Sequence, residues 1–134
     1  MSTRFAPSAY ALLRIMAGLL FAIHGSQKIL GWPASNMHPP LASLPGIAGI
    51  IELVCGLLIA VGLFANWAAF LASGEMAVAF FKAHFSVADW NPVTNKGETS
   101  VLYCFIFLFI WAYGSGIWSI DSALRRNRKS TSGR

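Results

Sequence analysis

Two carboxylates, two histidines and two lysines lie within otherwise apolar runs of this chain: Glu52 and Glu75, His24 and His84, Lys28 and Lys82. Carboxylates beside a histidine in a low-dielectric surrounding have shifted pKa values, which suits proton-coupled chemistry or the grip of a small polar head group. Helical geometry sets who can meet. At ~1.5 Å per residue, His24 lies about 9 Å below one end of its run and Glu52 about 10 Å below the same side of the next. Lys28, Lys82, His84 and Glu98 fall in that same outer third, and Glu75 lies nearer the middle. At ~100° per residue, Arg14, Gly18, Gly25 and Lys28 share one face, with His24 on its border. Gly49, Glu52 and Gly56 share a second stripe, and Ala68, Ala72, Glu75, Ala79 and Lys82 a third. Small residues mark close helix contact in membranes, so these stripes are expected to face inward.

The residues admit two readings. In one, His24, Lys28, Glu52, Glu75 and Lys82 form a buried network that only fixes helix register. In the other, they line a polar pocket opening outward. Arg14 stands apart, about 9 Å from the opposite end by the same rise, and is expected to pair with Asp121. Asn95 or Thr99 is expected to cap the last span, with Glu98 favoured near its N-terminus by the helix dipole.

The elements that hold these groups are set by composition. The chain has 134 residues, 56% of them hydrophobic and 11% charged, with a mean hydropathy of +0.60. A soluble domain carries ~25% charged residues, so lipid is the natural outer solvent here. A helix crossing the hydrocarbon needs ~20 mainly apolar residues. Four stretches qualify, at about 9–30, 45–64, 67–85 and 99–120, which gives an all-α integral membrane protein, a four-transmembrane-helix bundle filling residues 1–121. The first run is too long and too charged for a cleaved signal peptide.

Half of the ten Lys and Arg residues follow the last run: Arg125, Arg126, Arg128, Lys129 and Arg134. This basic stretch, 122–134, is expected to be a disordered cytoplasmic tail facing anionic lipid rather than nucleic acid, and four spans then place the N-terminus inside as well. Trp32, Trp90, Tyr113 and Trp118 fall near span ends, as headgroup-level rings do. Cys55 and Cys104 sit in apolar runs and read as small hydrophobes. No Cys/His set has metal spacing, and no flavin, haem or iron–sulfur motif is present, so no intrinsic cofactor is expected.

Several of these residues also form a recognisable series: Arg14, His24-Gly25-Ser26-Gln27-Lys28, Ile51-Glu52-Leu53-Val54 with Gly56, Gly74-Glu75-Met76-Ala77, His84, Trp90 with Pro92, Asn95-Lys96-Gly97-Glu98 and Gly114-Ser115-Gly116-Ile117-Trp118-Ser119-Ile120-Asp121. In this order the chain resembles the DoxX family of small bacterial membrane proteins over all but its basic tail. The resemblance implies a four-helix protein of the inner membrane, associated with redox complexes and facing quinone, with His24, Lys28, Glu52, Glu75, His84, Asn95 and Glu98 as matching site positions. Electrons would then come from a partner protein in a quinone-linked oxidoreductase. A non-catalytic scaffold or assembly subunit of a membrane complex, and a small-molecule transporter, are the other functions the sequence leaves open.

Overall fold

The computed structural model describes residues 3–34 and 38–133. Residues 35–37 of the first connection and the last residue of the basic tail lie outside them. The described chain is helical, in the order α1 (Ala6–Leu30), α2 (Leu44–Val61), α3 (Ala65–Ala79), a π-turn at Phe80–His84, α4 (Glu98–Tyr113) and α5 (Ile120–Ser132).

Local chemistry explains the ends. Pro7 sits in the first turn of α1, where its missing N–H costs nothing, and Gly31 closes that helix at φ 68°. Ser43 caps α2 by accepting the Gly46 amide at 3.3 Å, and Gly62 closes it at φ 72°. Ser119 caps α5 by accepting from the Ser122 amide.

Helices α1 and α2 are 25 and 18 residues long and apolar enough to cross a membrane. The third run is helical from Ala65, with α3 giving way after Ala79 to a π-turn whose Phe85 amide bonds Phe80 O at 2.9 Å. The fourth is shorter than the sequence suggested. Its 16 residues rise about 24 Å, and it stops at Gly114, whose φ 94°, ψ −169° no helix continues. Gly116 and Trp118 also take positive φ, 66° and 54°. Hydropathy counts Ile117 and Trp118 as span, whereas their backbone has already left it.

The tail differs too. Residues expected to be disordered form α5, because Ser119 caps its start, Asp121 sits in its first turn and the basic residues lie toward its C-terminal end.

The main core is built by Phe21, Ile59, Ala69, Ala72, Phe107 and Ile110, all at or near full burial. Large apolar side chains also point outward from every one of the four long helices, among them Leu20, Val54, Phe70 and Phe105. A helix apolar on all faces is suited to lipid. The tightest seam joins α1 to α2. A Cβ on Gly18 would stand 2.5 Å from Ala60 N and 2.7 Å from Gly56 O, and one on Gly25 would meet Leu53 N and Gly49 O. Two glycine pairs, seven residues apart on each helix, thus bring the backbones into contact. Small-residue stripes do the same work between other helices in membranes.

Candidate functional site

At the end of the bundle where α1 finishes and α2 begins, this close seam presents Lys28 to Glu52. Lys28 Nζ donates to Glu52 Oε1 at 2.7 Å, the one salt bridge among the described residues. Glu52 is 2% exposed, and its Oε2 has no hydrogen-bond partner. Across a cleft on α3, the shielded Oε2 of Glu75 is likewise without a partner. A buried acceptor left unpaired costs about 1–3 kcal/mol, so two such oxygens in one region form an unfilled demand for donors.

The cleft that Lys28 and Glu75 line is a cavity of about 570 Å³, within the ~300–1,000 Å³ of small-molecule sites. Its walls are apolar: Leu44, Ile47 and Ile51 from α2, Phe70, Leu71 and Val78 from α3. Among the described residues Lys28, Glu75 and Lys82 are its only charged lining, and Glu52 is bonded to Lys28. Leu44, Ile47, Phe70, Leu71 and Val78 are all exposed, so the cavity opens sideways through the apolar flank of the bundle.

Of the residues singled out from sequence, Lys28, Glu52 and Glu75 come together, with Lys82 on the exposed rim. His24 does not join them. It is exposed, and its ring meets Tyr103 edge-on at 6.0 Å. His84 turns to the loop before α4, where Nδ1 lies 3.2 Å from Asn95 O. Asn95 does not cap α4 but folds that loop, accepting the Gly97 amide at 2.8 Å and donating to Asp89 O at 3.2 Å. Gly97 is the N-cap, without a side-chain bond, and Glu98 opens α4 exposed. These two groups of residues are therefore distinct: a carboxylate–lysine cluster inside, and a structured loop outside.

The opposite end holds an arrangement that sequence did not foresee. Arg14 is fully buried and forms no salt bridge with a carboxylate among the described residues. Its guanidinium donates to the carbonyls of Ile59 (3.1 Å), Ile117 (3.0 Å), Trp118 (2.6 Å) and Ser115. Asp121 faces elsewhere, accepting from the Phe64 and Ala65 amides at 3.1 and 3.3 Å and from the Ser115 hydroxyl. The expected ion pair is thus replaced by two separate clamps that meet at Ser115. Burial alone would raise the Asp121 carboxyl, but the Ser115 hydroxyl, the two amides and nearby Arg125 outweigh it and hold the group below the usual carboxylate range. Asp121 so caps α3, whose own N-cap, Phe64, has no side chain able to do it. The only hint in the sequence was the alternation of Gly114, Gly116 and small residues before Asp121.

Cys55 and Cys104 are free thiols. Ser73 Oγ donates to Cys104 O at 2.8 Å and ties α3 to α4.

With this geometry in hand, the DoxX family profile matches residues 9–85, from α1 through the π-turn. The chain belongs to the DoxX family. A relative from Haemophilus influenzae, described as an uncharacterized protein, is 34% identical over 127 residues, covering 89% of this chain and 92% of that protein. No solved structure gives a significant match. This DoxX-family membrane protein therefore carries Lys28, Glu52, Glu75, Lys82 and His84 within the matched region, whereas Asn95 and Glu98 lie beyond it.

Proposed function

We propose that this DoxX protein is a redox-associated subunit that holds the head of a lipid-soluble quinone in the cavity between α2 and α3. The observation that carries the reading is an apolar cavity open to the side whose lining holds Lys28 and Glu75, the latter with a shielded, unpartnered carboxylate oxygen. A quinol hydroxyl donates to the Glu75 carboxylate. A quinone carbonyl accepts from Lys28, which has two N–H groups beyond the one held by Glu52. The isoprenoid tail leaves through the exposed Phe70–Leu71 flank into lipid. The chain's part is to bind and orient the carrier; in a quinone-linked oxidoreductase, electrons come from a partner protein.

The same reading takes the chain as four spans of a bacterial inner membrane. Ala65–His84, helical throughout if the π-turn is included, provides the third, and α4 with the loop after it the fourth. The basic residues of α5 support a cytoplasmic side for both termini. His24, Lys82, His84, Asn95 and Glu98 then lie at or near the outer mouth.

One observation favours a second reading, that of a scaffold subunit. The Lys28–Glu52 bond also joins α1 to α2 beside the Gly25–Gly49 contact, where it would fix register alone.

The test is solvent extraction and mass spectrometry of quinone from protein purified in mild detergent, with Glu75→Gln alongside. Glu75 makes no protein hydrogen bond through its shielded oxygen, so the variant is expected to stay folded. Near-stoichiometric quinone in the parent, reduced at least fivefold in Glu75→Gln at unchanged melting temperature, supports the pocket. No enrichment over bulk lipid in the parent refutes it and favours the scaffold.

A further inference from the structure

A second cavity, of about 590 Å³, lies at the opposite end of the bundle from the carboxylate cluster. Its walls come from Pro7 and Tyr10 of α1, Asn66 of α3, Tyr113 of α4, the loop from Gly114 to Ile117, and Arg125 of α5. Among the described residues no carboxylate lines it, and Asp121, the nearest acid in sequence, is engaged by Ser115, Phe64 and Ala65.

The loop wall is rich in idle donors. Five consecutive backbone N–H groups, Ser115 to Ser119, find no protein acceptor among the described residues. Their orientation follows from Arg14. The carbonyls of Ser115, Ile117 and Trp118 all turn to the guanidinium. In a trans peptide the C=O and the following N–H point in opposite directions, so the amides of Gly116, Trp118 and Ser119 face away from it. Gly116 is among the residues that line the cavity. Arg125 makes no salt bridge among the described residues. The α1 N-terminus, near Pro7, has neither a side-chain cap nor an acid in its first turn, so its positive dipole end is uncompensated.

The depth of the cavity is marked by rings. Trp67, Tyr113 and Trp118 are all more than half exposed at this end of the helices, as rings at the headgroup level are.

We propose that this cavity binds a phosphate group, with Arg125 as its charged ligand and the unbonded amides of its lining residues Ser115, Gly116 and Ile117 as its neutral donors. Arg offers a planar fork matched to phosphate oxygens, and successive amides add donors of fixed direction. At headgroup depth the phosphate is carried by an anionic phospholipid; the free ion has the same chemistry. The site is independent of the quinone cavity, so either can fail without the other.

The experiment uses the full chain in a neutral detergent, with two probes: phosphatidylglycerol, read by native mass spectrometry, and inorganic phosphate, read by calorimetry. The variants are Arg125→Ala and Arg128→Ala; Arg128 is exposed on the same helix and does not line the cavity. We expect one bound probe per chain, with affinity lowered at least tenfold by Arg125→Ala and changed less than twofold by Arg128→Ala. The probe that behaves this way names the source of the phosphate. Equal weakening by both variants would mean diffuse attraction to a basic helix and would overturn the site, as would failure of both probes to bind.

Discussion

Replacing Arg14 by Met keeps an unbranched side chain of similar length and removes every donor from the clamp. Four carbonyls then lose the guanidinium. Ile59 O still accepts the Gly62 amide at 3.2 Å, so three are orphaned. At the low end of the usual cost, ~1–1.5 kcal/mol each because the loop ends the bundle and water reaches it, the loss is about 3–4.5 kcal/mol. Arg14→Lys keeps the charge but offers a point in place of a planar fork, so about half of that loss is expected. Reversible unfolding in mixed detergent micelles gives the free energies, followed with a thiol-reactive fluorophore, because Cys55 is only 4% exposed in the folded chain. Arg14→Met within ~0.5 kcal/mol of the parent would refute the clamp. A double-mutant cycle with Asp121→Asn adds a sharper check. The two clamps share only Ser115, so a coupling below ~1 kcal/mol is expected, and ~3 kcal/mol, as for a broken buried ion pair, would restore the direct pairing.

Other outcomes follow from the same geometry. Gly25→Ala drives a Cβ into the backbone of Leu53 and Gly49; overpacking against main chain costs about 1–3 kcal/mol, and the same unfolding assay reads it. For Asp121, whose folded carboxyl sits below its ordinary range, the stabilisation is full above the unfolded value of ~3.9 and is lost as the pH falls through the lower folded value. Melting temperature should therefore drop on acidification more in the parent than in Asp121→Asn; parallel curves would count against it. In the native protein the half-buried Cys104 should label before the buried Cys55, measured by mass spectrometry after brief alkylation, and the reverse order would contradict the packing of α2.

Much of this arrangement was legible in the sequence because lipid-facing helices obey a simple periodicity. The stripe of Gly49, Glu52 and Gly56 is buried throughout, since only small residues and a paired carboxylate tolerate contact with α1. Lys28 met Glu52 because depth and azimuth agreed for both. His24 agreed in depth alone, and its border position on the helix left it facing Tyr103 outside the cluster. The end of α4 was not legible, since hydropathy weighs side chains while Gly114 and Gly116 act through backbone angles. Arg14 was misassigned for a related reason. Its partners are carbonyl groups, which every residue carries, so nothing in the residue types announces them.

The two glycine contacts make α1 and α2 behave as one stiff rod pair, and Ser73 and Asn66 fasten α3 to α4 by bonds to Cys104 O and Trp111 O. The seam between these pairs, along α2 and α3, is where the cavity lies. Under the quinone proposal, a guest dissolved in the bilayer would enter sideways by parting that seam, while Lys28 and Glu52 stay joined across the other. Doorway and fixed charges would then belong to different interfaces, so admitting an oily molecule would not require moving a buried ion through lipid.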